Sequence, residues 1–438
     1  MLSVRRNPVA PGKLRTSNVQ KIGLLALGTL VGITVLAAGD LVCALSGICA
    51  PSYTYGDSDV GAIDPVGTGV PYTYQTPHWR FARSDTGSIR VNERGFRTDR
   101  SIAEIKSAPM SLPIAVTGDS HTDLPYGHGY DHPFVLEREL RQAGIRGAEV
   151  FGLGRGTYSP LQAYLFVKKV SADLNPRVII LNLYSGNDFF DLMRIDDRPY
   201  FEPKGDGTYA IHPPVWYRLS DPTLRGSWTE QSRLLYLVRS FGRETGIADA
   251  IHRFSYLVDL AHANGYGFLH ALAYLFALNA SKGENMVFPR AYPSQILNQY
   301  LFFQYFPRTK AESLRRLEYL LGMIRRQNPG VSLILSPIPS AALAGSLDSD
   351  SSFQGKLREM GISSDDVIEQ ESALLDSSRA IAKRQEWKFI DNVSALQKAE
   401  PRSALYLSED LHLSPNGSLV VGSNEAQALL VIFGTGSP

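Results

Sequence analysis

Acyl transfer through a covalent intermediate asks three things of a chain: a nucleophile, a base to take its proton, and hydrogen-bond donors aimed at the oxyanion. Four short segments of this 438-residue sequence carry residue types of that kind. Gly118-Asp119-Ser120-His121 offers a hydroxyl on a tight turn that Gly118 permits, where backbone N–H groups can point at an incoming oxyanion. Gly152-Leu153-Gly154-Arg155-Gly156-Thr157 offers glycines, at which a backbone N–H can approach a ligand closely. Ser185-Gly186-Asn187-Asp188 offers the Asn187 amide as a donor, with Asp188 able to fix the loop. Glu409-Asp410-Leu411-His412 offers an imidazole with carboxylates two and three residues before it, a compact supply of a base and the acid that holds its tautomer. Each segment alone has a plainer reading: a helix cap, a tight strand-to-helix turn, an Asx turn and a structural histidine. The glycine segment lacks dinucleotide spacing, because its third Gly follows the second by two residues rather than three.

The elements around these segments give them a common address. Residues 112–117 form a short apolar run ending at Gly118, as a buried parallel strand does. Further strands are expected over 148–153, 178–183, 331–335 and 387–390. Helical spacing covers 132–143, 161–170, 311–326, 365–385 and 415–430, the last opened by Ser414-Pro415. Alternation at this spacing predicts an α/β fold, a three-layer α/β/α arrangement around a parallel, doubly wound, flavodoxin-like sheet. In such sheets ligands gather at the carboxyl ends of the strands, and the four segments are expected at those ends, the last of them just before the final helix.

The order Ser, Gly, Asn, Asp-His, at predicted strand ends, resembles the SGNH/GDSL hydrolase superfamily. That resemblance covers roughly 90–192 and 309–432, and it implies Ser120 as nucleophile, His412 as general base and Asp410 as its orienting acid. Gly156 and Asn187 then help form the oxyanion hole with the backbone N–H of Ser120 or His121. Glu409 is the alternative acid and Gly154 the alternative glycine. Upstream, Arg90-Val91-Asn92-Glu93-Arg94-Gly95-Phe96-Arg97 looks like the Asn-x-x-Gly-Phe-Arg stretch of bacterial, membrane-anchored members. A similar Gly-Asp-Ser-His occurs in SGNH domains linked to polysaccharide O-acyltransferases, which points to carbohydrate acyl groups. The expected activity is ester hydrolysis on an acylated small molecule or glycan. The alternatives are an O-acyltransferase using the same site and a non-catalytic glycan-binding assembly factor on the same scaffold. No cofactor and no metal is expected; His128 and His132 are four apart, but Gly129 and Pro133 argue against a helical metal pair.

Charge and hydropathy bound the rest. The 44 Lys+Arg against 43 Asp+Glu leave no basic excess to bind nucleic acid. Residues 1–21 hold only basic charges, and 22–39 carry none. As a helix that span would be roughly 27 Å long, enough for the hydrocarbon layer. Basic residues ahead of it keep the N-terminus cytoplasmic, so a single-pass anchor in the inner membrane with an extracytoplasmic domain is expected, or else a signal peptide. Residues 40–89 read as a linker containing both cysteines, Cys43 and Cys49. The α/β pattern then occupies 90–194 and 309–438, interrupted at 195–308 by an aromatic-rich, largely helical insertion. Its aromatics, among them Trp216, Trp228, Tyr274, Phe302 and Phe306, read as core, as the lining of an acyl or sugar pocket, or as lying on the bilayer.

Overall fold

Strand β1 (Leu112–Thr117) is buried along its whole length and pairs in parallel on both sides, with β2 (Ala148–Gly152) and with β3 (Val178–Tyr184). The structure is a computed structural model. It describes residues 100–107, 111–123, 131–156, 158–194, 199–212, 261, 265–267, 269–271, 273–274, 293–347, 352–407 and 412–434. The expected anchor at 22–39, the linker, Cys43, Cys49, the 90–97 block, His128, Trp216, Trp228, Glu409 and Asp410 lie outside the described residues. Among the described residues no helix is long and apolar enough to cross a membrane.

Numbered in chain order, the helices are α1 (Ile102–Ser107), α2 (His132–Gln142), α3 (Pro160–Leu174), α4 (Asp188–Asp191), α5 (Pro293–Tyr305), α6 (Pro307–Gln327), α7 (Ser352–Met360), α8 (Ser364–Arg384), α9 (Asn392–Lys398) and α10 (Pro415–Phe433). With β6 (Ser332–Ile338) and β7 (Lys388–Phe389), the main sheet runs β2-β1-β3-β6-β7, all parallel. Its two faces follow from the period of two along a strand. Ile114, Val116, Val178, Ile180 and Ile334 point to one side, where Leu136 and Leu140 of α2 and Ala426 and Leu429 of α10 cover them. The alternate residues Ala115, Ile179, Leu181, Leu333 and Leu335 face α3, α5, α6 and α8. Burying each such Leu or Ile contributes about 1.5–3 kcal/mol, so both faces require their helices.

Local signals set the helix starts. Ser159 accepts from Gln162 N and Gln162 reaches back to Ser159 N, with Pro160 in the first turn. Ser414 caps α10 by its side chain alone, accepting from Asn416 N and Gly417 N.

The insertion departs from its expected character at the outset. β4 (Tyr200–Pro203) and β5 (Tyr209–His212) form an antiparallel hairpin, turned at Lys204 to Thr208 with Gly207 at φ 80°. Gly205-Asp206-Gly207 is hairpin chemistry, with Gly207 taking the positive φ the turn needs. Phe201 and Tyr209 pack edge-on against each other and against Tyr319 of α6. Tyr274, Phe302, Phe303 and Phe306 are buried in the larger core cluster, the core reading of the insertion's aromatics.

Helix α10 approaches α2 so closely that a Cβ on Gly422 would stand 2.6 Å from the His132 carbonyl oxygen and 2.7 Å from Val135 Cβ. Gly422→Ala must therefore push the two helices apart. A loss of about 1–3 kcal/mol is expected, measured as a lowered urea midpoint at unchanged slope.

Candidate active site

The sheet order reverses between β1 and β3, and the crevice beyond their carboxyl ends is where an open α/β sheet receives ligands. Ser120 lies just past β1 and Asn187 just past β3, so the two flank that crevice.

The Ser120 turn is organised by Asp119. The Asp119 carbonyl accepts from Thr122 N and Asp123 N, both at 3.1 Å, while its carboxylate Oδ1 accepts from His121 N at 2.9 Å. Ser120 is held half-buried at the turn's outer corner. Thr122 seats the turn on the sheet, its hydroxyl donating to Asn182 Oδ1 at 3.2 Å. Asn182 is buried in the middle of β3, and its amide donates to Glu425 Oε1 of α10 at 2.8 Å. His132 Nε2 stands 3.2 Å from the same Asn182 oxygen and must be the donor there, since an amide oxygen only accepts.

The glycine segment is laced onto this turn. Leu153 N donates to Val116 O at 2.7 Å and Arg155 N to Gly118 O at 3.1 Å. A Cβ on Gly154 would stand 2.4 Å from Thr122 Cβ, so Gly154 is the glycine that close approach to the Ser120 turn requires. The Gly156 N–H, expected at the oxyanion, instead donates to Asp123 Oδ2 at 3.2 Å. It reaches an oxyanion only when that carboxylate withdraws. Of the two turn N–H groups considered for the same role, that of His121 is committed to Asp119.

Asn187 caps the short helix α4, and its Nδ2 donates to Asp191 Oδ2 at 3.1 Å. An amide nitrogen carries two hydrogens, so one remains to be directed elsewhere. Asp188 Oδ2 accepts from Tyr184 N at 2.7 Å and closes the turn. Two helices beyond the sheet brace this loop. Gln299 of α5 donates to Ser185 O at 2.6 Å and accepts from Phe190 N at 3.1 Å. Glu371 of α8, buried, accepts from Ser185 Oγ, from Ser340 N at 2.8 Å and from Ser340 Oγ at 2.6 Å. Burial pushes the Glu371 carboxyl up, and those three donors hold it down in part.

His412 arrives from the far end of the chain in a narrow antiparallel bridge. Leu407 N donates to His412 O at 2.8 Å, Ser414 N donates to Leu405 O at 2.9 Å, and Tyr406 pairs with Leu413. The Tyr406 hydroxyl ties this bridge to Pro339 O at 2.6 Å, beyond β6. The bridge brings the His412 ring centroid to 4.8 Å from that of His121, the residue next to Ser120. So the structure gathers Ser120, Asn187, Gly154, Gly156 and His412 at one edge of the sheet.

Two buried carboxylates at this edge were not singled out as site residues from the sequence. Asp119 and Asp191 are 5% and 4% exposed. Burial raises the Asp119 carboxyl from the ordinary 3.8 to about 7, the negative charge of Asp191 adds to this, and the His121 N–H and the charge of His412 oppose it. Asp191 stands at helical i+4 spacing from Asn187, which was the available signal for it. His121 is fully buried, and burial with the like charges of His412 and His132 holds it well below the usual imidazole range.

No family model matches the chain, and no curated protein matches it in sequence. Neither comparison assigns a family. Among solved structures, one similar chain is LAE5, an alpha/beta hydrolase enzyme from the metagenome of Lake Arreo, Spain; the likeness covers 74% of this chain and 96% of that one, at 12% identity and a TM-score of 0.32. Another is the lipase/acylhydrolase from Enterococcus faecalis, covering 75% of this chain and 100% of that one, at 9% identity and a TM-score of 0.32. Likenesses this slight decide nothing about chemistry.

The raised Asp119 carboxyl has a measurable consequence. Between about pH 4 and pH 7 the folded chain keeps this proton while the unfolded chain loses it, so stability falls as pH rises through that window. Asp119→Asn keeps an acceptor for His121 N and removes the titration. Relative to wild type, the variant is expected to gain unfolding free energy from pH 4 to pH 7 and level off above, as read by urea unfolding at each pH. A difference that stays constant with pH would contradict the assignment.

Proposed function

We propose that the chain is a serine-dependent carboxylic ester hydrolase of SGNH/GDSL type, anchored in the inner membrane and acting outside the cytoplasm on O-acyl groups of a glycan. The observation that carries this reading is the approach of the His412 ring to the Ser120 turn, with Asn187 on the adjoining strand end. Three residue types that acyl transfer needs, drawn from distant parts of the chain, meet where an α/β sheet takes its ligand. The basic residues ahead of the uncharged span at 22–39 support the anchor, and the Gly-Asp-Ser-His sequence supports the carbohydrate substrate.

His412 takes the proton of Ser120 as the Ser120 oxygen attacks the ester carbonyl. The second Asn187 amide hydrogen and the Ser120 N–H receive the oxyanion, joined by Gly156 N–H when Asp123 releases it. His412 then protonates the departing alcohol, and water attacks the acyl-enzyme by the reverse proton path. Asp410 orients His412 and holds its tautomer.

Ser120→Ala is expected to abolish turnover of 4-nitrophenyl acetate while leaving the thermal midpoint near that of wild type, since the half-buried hydroxyl fills little space. Asn187→Ala should cost about 10²–10³ in kcat with smaller change in KM, the size of loss that follows removal of one oxyanion donor. Undiminished hydrolysis by Ser120→Ala would sink the reading.

A further inference from the structure

The mechanism above gives no work to the ring that lies between the strand-end loops. His121 stacks on Tyr184, ring centroids 3.8 Å apart and planes 19° from parallel, and meets His412 at 4.8 Å and 40°. Both His121 and Tyr184 are wholly buried. Tyr184 is the last residue of β3, and the loop bearing Asn187 crosses its ring so closely that a Cβ on Gly186 would stand 2.6 Å from Tyr184 Cε1 and Cζ. Gly186 is therefore the residue that lets the loop rest on the ring. One stack touches the β1 loop through His121, the β3 loop through Tyr184 and Gly186, and the last loop through His412.

We infer that Tyr184, His121 and His412 form a positioning stack, in which His121 serves as a flat ring that fixes the base relative to Ser120 and Asn187 and not as an acid or base of its own. This rests on the reading of Ser120 as nucleophile and His412 as base. A His ring turns about two torsions, and contact on one face restrains both. His412 sits beside the single Tyr406–Leu413 bridge, a narrow support for a group that must be placed to within about half an ångström. The groups around His121 suit a neutral ring: His412 and His132 oppose a charge on it, and its backbone N–H, rather than its imidazole, is what Asp119 holds.

The test uses the full chain and 4-nitrophenyl acetate. His121→Phe keeps a ring in the stack, and His121→Leu fills similar space without one. The phenylalanine variant is expected to retain kcat within about threefold of wild type, and the leucine variant to lose about 10–100-fold in kcat at nearly unchanged KM, the scale on which a misplaced catalytic group costs rate. Tyr184→Leu leaves His121 intact, opens the other end of the stack and should lose kcat similarly, which keeps the idea testable if His121→Leu fails to fold. Equal activity of the Phe and Leu variants would overturn the inference, because the ring would be dispensable. A Phe variant as weak as the Leu variant would overturn it too, because the imidazole nitrogens would be required. An active Ser120→Ala would instead remove the nucleophile on which the stack depends, and is thus distinguishable from a flat ring series over an inactive Ser120→Ala.

Discussion

Asn182 must satisfy every hydrogen-bonding position of a primary amide in a place that water does not reach. It is 2% exposed in the middle of the sheet. Its oxygen accepts from Thr122 and from His132, and its nitrogen donates to Glu425 at 2.8 Å and to Ser336 O at 3.4 Å. Those partners belong to the Ser120 turn, the start of α2, α10 and β6 respectively. An unsatisfied buried donor or acceptor costs about 1–3 kcal/mol, so no partner can leave alone without a penalty of that order. The Ser120 turn is thereby fixed from beneath, by side-chain bonds into the sheet, as well as along the chain by Asp119.

The network continues outward in the same manner. Ser336 Oγ donates to Glu425 Oε1 at 2.7 Å, Asn392 Nδ2 donates to Ser336 Oγ at 2.8 Å, and Asn424 Nδ2 donates to Asn392 Oδ1 at 2.8 Å. Helix α10 is thus keyed to the sheet by polar contacts at its middle and by apolar ones toward its end, where Ala426 and Leu429 meet Ile114 and Ile334. Packing alone leaves a helix some freedom to slide along its groove, whereas a buried chain of hydrogen bonds accepts one register. The helix whose N-terminus follows His412 is the one so registered, and His412 inherits that placement through the Ser414 cap.

Much of this was legible from one-dimensional pattern. The strand at 112–117 coincides with β1, and the run at 178–183 is β3 short of Tyr184, because a fully buried parallel strand reads as continuous apolar residues. The start of α10 was marked by Ser414-Pro415, whose capping bonds the structure contains. The hairpin at 200–212 is hard to see in sequence because its strands are only four residues long, although Gly205-Asp206-Gly207 carries turn chemistry. The carboxylates at the site were harder. Asp119 and Asp191 look like turn and helix-surface residues in sequence, and only burial beside one another makes their charge consequential. Gly154 and Gly156 differ in nothing a sequence can display. What separates them is Thr122 pressed on the first and Asp123 bonded to the second.

The insertion bears on the site through polar contacts that no periodicity could indicate. Gln299 reaches from α5 to both ends of the Ser185–Phe190 segment, and Glu371 of α8 meets the same segment from another helix. Gln299 satisfies two peptide groups of the loop, Ser185 O and Phe190 N, among the buried side chains of Phe189, Phe302 and Leu297, while Glu371 takes the Ser185 hydroxyl. A loop that carries an amide donor is held rigid only if its own peptide groups are satisfied. Helix α5 of the insertion supplies that satisfaction, and α8 of the α/β part holds the Ser185 hydroxyl, so the loop bearing Asn187 is braced from both parts of the chain.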